Sequence, residues 1–218
     1  MNKNRIILVL AVIVSFLIVL IPWQSIFTIK LSFLEVFAVV TSAWSVGLLA
    51  RNNLLGWWVG LVGVVAYAVV FYQVELYAET AIQVFYFFTS IKGILIWLKG
   101  GKNNTEKSVS HLPKSQLKLS IISFIPCVWG LQTLLIAVKG AAPFWDAITT
   151  VGSAIAQLYL MERYVESWYL WIAVDLIYIP LYASRGLYLT SGLYIVFLGM
   201  SISGLVYFQH LYKQQSKH

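Results

Sequence analysis

Apolar runs dominate the chain, and their lengths are those of a bilayer crossing. They fall at roughly 6–22, 31–50, 54–72, 77–98, 117–138, 144–161, 167–185 and 189–211. A hydrocarbon core of about 30 Å takes about 20 helical residues to cross. Backbone amides in lipid need partners within their own segment, so a spanning run is a helix unless it belongs to a closed barrel. Recognisable breaks separate the runs: Pro22, Arg51-Asn52-Asn53, Lys139-Gly140-Ala141-Ala142-Pro143 and Ser184-Arg185-Gly186. The pattern predicts an all-α integral membrane protein with eight transmembrane helices. The first run follows Lys3 and Arg5, as a signal peptide would. It ends in Ile21-Pro22-Trp23-Gln24 without a small-x-small cleavage pattern, so a retained helix is expected. The single long hydrophilic connection, 99–116, carries Gly100, Gly101, Asn103, Asn104 and several lysines, and reads as a solvated linker between two halves.

Composition agrees. Of 218 residues, 60% are hydrophobic and 11% charged, with a mean hydropathy of +0.82; a soluble domain is nearer ~25% charged. The net charge of +7 is not gathered into a basic domain, which removes nucleic acid as a partner. It reports topology instead. With eight spans, one side holds Lys3, Arg5, Arg51, Lys99, Lys102, Lys107, Lys114, Lys118, Arg163, Lys213 and Lys217, the other only Lys30, Lys139 and Arg185. By the positive-inside rule both termini are cytoplasmic, in a cell inner (cytoplasmic) membrane. Cys127, the single cysteine, permits no intrachain disulfide.

Shifting the sequence by 111 residues aligns 33–97 with 144–208 without a gap. Phe33/Phe144, Ser42/Ser153, Trp57/Trp168, Tyr67/Tyr178, Leu76/Leu187, Tyr77/Tyr188, Ser90/Ser201 and Gly93/Gly204 are identical pairs; Glu35/Asp146 and Thr80/Ser191 are conservative ones. Chance matching between apolar helices competes with duplication, but the rarer residue types and coincident span boundaries favour duplication. The expected plan is an extra amino-terminal helix (1–30), a three-helix repeat (31–98), a cytoplasmic loop and linker helix (99–140), a second repeat (141–212) and a tail (213–218). One linker helix between two triplets gives them the same orientation, a 3-1-3 core with a natural substrate site at the repeat interface.

The helix at 167–185 carries the strongest candidate site. Trp168, Trp171, Asp175, Tyr178 and Tyr182 form one stripe at helical spacing. An aromatic packing seam would account for the rings, but an acid near the bilayer centre costs about 2.5–3.5 kcal/mol and usually faces a cavity. Pro180 suggests a kink beside it. A second stripe on 77–98 offers Glu79, Gln83, Phe87 and Ser90, with Tyr86 an alternative to Phe87; Glu79 can equally reach interfacial water. Gln157 follows Ser153 by one turn on 144–161 and serves equally as interhelical glue. Trp57 joins the candidates as the counterpart of Trp168. Lys92 is expected to snorkel or pair with an acid, and Glu35 and Asp146 to complement helix N-termini. No Cys or His spacing suggests a metal, no cofactor is implied, and no GxSxG, HExxH, GxxxxGK[ST] or GxGxxG in strand–helix context points to an enzyme.

The segments Phe71-Tyr72-Gln73-Val74-Glu75-Leu76-Tyr77-Ala78-Glu79-Thr80-Ala81-Ile82-Gln83 and Trp168-Tyr169-Leu170-Trp171-Ile172-Ala173-Val174-Asp175 resemble the PnuC family of vitamin transporters, of the Neisseria type, in which WxxW is a marked motif. The likeness runs from about residue 31 to 211. It implies a core related to the SWEET sugar transporters, facilitated diffusion (uniport) of nicotinamide riboside, retention by a cytoplasmic kinase that phosphorylates it, and a homotrimer. The candidate residues suit that ligand. Trp168 and Trp171 can stack on a cationic ring, Gln83 and Gln157 match a carboxamide or ribose, and Asp175 or Glu79 can offset the charge. Relatives for thiamine share the architecture, so thiamine or another aromatic vitamin stays open, as does a duplicated receptor or scaffold that transports nothing.

Overall fold

The protein is described here by a computed structural model that covers residues 33–73, 77–138, 143–184 and 188–215 together with Ser15; the side chains of residues 77–79 and 188–190 are not among those described. The helix expected at 6–22, the side chain of Glu79 and the cations Lys3, Arg5, Lys30, Lys139, Arg185 and Lys217 lie outside the description. Within it are seven α-helices: α1 (Phe33–Ala50), α2 (Leu55–Gln73), α3 (Tyr77–Lys99), α4 (Lys114–Ala137), α5 (Pro143–Met161), α6 (Glu166–Ser184) and α7 (Tyr188–Gln215). By length and composition α1, α2, α3, α4 and α7 can each cross a membrane. Helices α5 and α6 are also 19 residues long, about 28 Å at 1.5 Å per residue. They carry Thr149, Ser153 and Gln157, and Glu166 and Asp175, most of which turn into the bundle.

Six helices close into a ring. Helix α1 packs on α2, α2 on α3, α3 on α5, α5 on α6, α6 on α7, and α7 returns to α1; across the ring the described helix backbones stay apart, while side chains such as Trp97 of α3 and Phe208 of α7 meet. The seams rely on small residues, as lipid gives helices little hydrophobic drive to associate. The buried face of α5 carries Ala147, Gly152, Ser153 and Ala156. Helix α4 packs outside, on α5, and leaves Ile121, Ile122, Ile125 and Trp129 exposed. Helix α6 runs on through Pro180 to Ser184.

Four amide bonds of the turn between α1 and α2 recur between α5 and α6. Asn52 and Arg163 take the left-handed conformation, at φ 54° and 58°. The amide bonds Asn52 to Leu49, Asn53 to Leu48, Gly56 to Asn53 and Trp57 to Leu54, at 2.8–3.1 Å, reappear 111 residues later, at 2.9–3.2 Å, as Arg163 to Leu160, Tyr164 to Tyr159, Ser167 to Tyr164 and Trp168 to Val165.

This end of the ring is closed by one hydrophobic core drawn from every ring helix, with Leu49, Trp57, Trp97, Leu160, Trp168 and Phe208 at its centre. Trp57 meets Trp97 edge-on at 5.5 Å, and Trp168 meets Phe208 at 5.4 Å. A Cβ added at Gly93 would come within 2.9 Å of the Trp57 ring, and one at Gly204 within 2.7 Å of the Trp168 ring, so only glycine admits each indole.

The connection at 99–116 is exposed over most of its length, as its composition suggests, but its middle is anchored. Val109 is 3% exposed, and residues 106–112 clasp the α5–α6 turn. Ser110 bridges the backbones of Arg163 and Val165, Lys107 pairs with Glu162, and Glu166 accepts from the Leu112 amide at 2.8 Å and contacts His111 Nδ1 at 2.7 Å. Arg163 is buried over the Trp97 ring at 4.3 Å and donates to the Lys107 carbonyl and, at 2.6 Å, to Glu106. Burial pulls its guanidinium below the ordinary value, and Glu106 opposes the shift.

Candidate functional site

The stripe expected on α6 divides into three levels. At its start, Trp168 is 1% exposed and sealed by Gly204 and Phe208. Trp57, also 1% exposed, is sealed by Gly93 and Trp97. Both belong to the core that closes the ring and neither offers a face in this conformation, so the stacking on a ligand expected of Trp168 with Trp171 would require that core to open. Their Nε1 atoms are buried without a hydrogen-bond partner. Trp171, one turn on, is half-buried and packs on the rim of the same core.

At the middle level, Asp175 is 3% exposed and accepts a hydrogen bond from Ser201 Oγ of α7 at 3.0 Å. On the α3–α5 seam Gln157 donates to Thr89 Oγ1 at 3.3 Å. Ser90 and Ser153 are buried close by in sequence. Polar groups thus gather at this level, each buried where an unpaired one would be costly.

The third level is aromatic. Tyr178 and Tyr182 stack at 5.4 Å, and Tyr194 of α7 completes the triangle at 4.5 and 5.2 Å. In the first half Tyr67 of α2 stacks on Phe71 at 5.2 Å.

Gln83 and Phe87 are placed elsewhere. They line a groove of about 430 Å³ with Val64, Ala68, Thr80 and Phe88, walled by α2 and α3 alone. Exposed Val65, Val69 and Val84 also border it, so it opens on the outer face of the ring. Lys92 is exposed. Thr89 and Tyr194 escaped the reading of the sequence, and Ser201 entered it only as the repeat partner of Ser90; Tyr194 was the more accessible of the first two, since it stands 111 residues after Gln83.

This is the architecture of a membrane transport protein: a ring of helices, polar and aromatic within, sealed at one end. The chain matches the model of the nicotinamide mononucleotide transporter family over residues 32–209 and belongs to that family. It is 28% identical to nicotinamide riboside transporter PnuC of Escherichia coli (strain K12), over 80% of this chain and 84% of that protein. It is equally, 28%, identical to the protein of the same name from Neisseria mucosa, over 85% of this chain and 75% of that one. A crystal structure of the vitamin B3 transporter PnuC shares its fold, with a TM-score of 0.70 at 24% identity, over 94% of this chain and 92% of that chain. The family is one of membrane transporters, not enzymes.

Proposed function

We propose that this protein carries nicotinamide riboside across the cell inner membrane by facilitated diffusion through the six-helix ring, and that a cytoplasmic kinase traps the product by phosphorylation. The observation that carries the choice of solute is the charge of the ring's interior. Asp175 is buried there on Ser201, whereas the described cations lie in turns, connections or exposed positions. An acid with polar neighbours suits a cationic pyridinium joined to a ribose. A mononucleotide would bring about two negative charges, and among the described residues the one buried cation, Arg163, is already held in the clasp by Glu106 and the Lys107 carbonyl. The family's descriptive name mentions the mononucleotide, and the names of the relatives mention the riboside; the interior favours the riboside. Asp175, Gln157, Trp171, Tyr178 and Tyr182 are the residues we assign to the path, with Glu79 and Ser90 on the first half's side.

The architecture we propose is eight spans: one amino-terminal helix, the triplets α1–α3 and α5–α7 in parallel, and α4 as linker, with both termini cytoplasmic. The duplicated turns and the duplicated Trp–Gly contacts support it. The clasped end is then the cytoplasmic one, and the exposed apolar face of α4 is available to lipid or to the neighbours of a homotrimer. Thiamine has a comparable cationic ring and is the competing solute. Uptake into proteoliposomes holding only this protein tests the reading: labelled nicotinamide riboside enters down its gradient, and nicotinamide mononucleotide does not. Entry of the mononucleotide at the same rate, or of neither compound, overturns it.

A further inference from the structure

The groove on the outer face of the ring follows the seam between α2 and α3 over half of each helix. On α3 it runs from Thr80, in the first turn, to Phe88, at the midpoint; on α2 it runs from Val65 to Tyr72, beside the end. From Thr80 to Phe88 the helix rises about 12 Å, close to the hydrocarbon depth of a single leaflet, about 15 Å. Both helices are long and apolar enough to cross a membrane, so the groove faces one leaflet, the one away from the clasped end. Half-buried Ala68 and Phe87 lie at its floor, and exposed Val69 and Val84 at its rims. Its polar side chains, Gln83, Thr80 and Tyr72, stand toward the α2–α3 connection. The half-buried Gln83 amide has no hydrogen-bond partner among the described residues, and an amide facing hydrocarbon without one is costly. The same seam is filled in the second half. Ile179 stands at the place of Ala68 and Tyr194 at that of Gln83, and Tyr194 packs on Tyr178 and Tyr182 at 4.5 and 5.2 Å.

We propose that this groove is a phospholipid site: one acyl chain lies along the α2–α3 seam, and the glycerol esters at its head meet the polar end, where the Gln83 amide donates to an ester carbonyl. The site is separate from the transport path. Three features select this occupant. The groove opens sideways among membrane-crossing helices, so what enters it comes from within the bilayer. Its volume of about 430 Å³, spread over about 12 Å, makes a channel about 6 Å wide, too narrow for another helix of about 10 Å and wide enough for a hydrocarbon chain. Its polar groups lie at the end where a lipid changes from chain to ester. Side chains on a helix lean toward its N-terminus, which on α3 is the headgroup side, so Gln83 reaches up the groove. The chain gives the apolar walls the close contacts that Ile179 and Tyr194 supply in the second half.

Native mass spectrometry of the protein extracted from dioleoylphosphatidylcholine liposomes counts the lipid that survives a detergent wash. The unmodified protein keeps phosphatidylcholine. Ala68→Phe fills the floor of the groove and lowers retention about tenfold. Gln83→Leu leaves the groove open and lowers retention about fivefold, the order of one hydrogen bond. Val62→Phe, at an exposed position of α2 outside the groove, leaves retention unchanged. The dialkyl ether analogue, which lacks the ester carbonyls, is held about fivefold less well than the ester by the unmodified protein, and as well as the ester by Gln83→Leu. Circular dichroism checks that each variant keeps its helices, and the ether comparison needs no variant at all. Absence of retained lipid, or equal retention by the unmodified protein, Ala68→Phe and Gln83→Leu, overturns the site. A change of oligomeric state in place of lipid loss overturns it too, since the groove is then a contact between copies. Riboside uptake is read separately, so failure here leaves the transport reading standing.

Discussion

The two halves of the ring share a scaffold and differ in chemistry. Their turns repeat four amide hydrogen bonds, and their buried indoles each rest on a glycine 36 residues further on. Where side chains enter the ring the halves part. Val64 stands opposite Asp175, Val46 opposite Gln157, and Gln83 opposite Tyr194. Outside the ring they part again, because the connection after α3 clasps Glu162, Arg163 and Glu166, whereas Asn52, at the place of Arg163, has a buried Oδ1 without a hydrogen-bond partner. The packing contacts of the two halves are alike, and the residues at equivalent positions elsewhere on their helices differ.

The largest expected effect attacks what the halves share. Gly204→Leu drives a side chain into Trp168 and costs about 3 kcal/mol by overpacking. Gly93→Leu costs somewhat less, in keeping with the longer approach of 2.9 Å against 2.7 Å. Thermal unfolding in detergent checks both, and equal tolerance would break the parallel.

Next come paired changes at the left-handed turn positions. Glycine accepts φ 54° and 58° freely, so it isolates the side chains. Arg163→Gly loses about 2 kcal/mol with the cation–π contact to Trp97 and the bonds to 106–107. Asn52→Gly leaves stability unchanged or slightly raised. Similar losses at both positions would mean that the clasp contributes little.

Inside the ring, Asp175→Asn lowers riboside uptake about tenfold, the order expected from losing one charge-assisted contact. Val64→Thr, in the first half, leaves uptake within about twofold. The comparison fails if both changes matter equally. The smallest effect belongs to the half-buried rim of the clasp, where Lys107→Ala costs about 0.5 kcal/mol and added salt shrinks the difference further. Melting temperatures at low and high ionic strength measure it.

Much of the scaffold was legible because bilayer crossing imposes length and apolarity on every helix, and each described helix falls on an expected run. The duplication was legible too, since tryptophan, tyrosine and glycine at fixed spacing survive divergence. The anchoring of the connection was not legible, because its glycines, asparagines and lysines are those of a solvated strand; its ion pairs reach residues about 55 positions away, where local composition carries no signal. The stripe on α6 was right as a face and divided as a site. Helical spacing places Trp168 and Tyr178 on one side, but what covers each depends on α7, which brings Gly204 to one and Tyr194 to the other. Sequence alone therefore determined the helices, their number among the described residues and the candidate acid, because these follow from the solvent each segment must meet. Only the closing of the ring decided which aromatics are core and which face its interior, because burial is a property of neighbours, and the neighbours come from the other end of the chain.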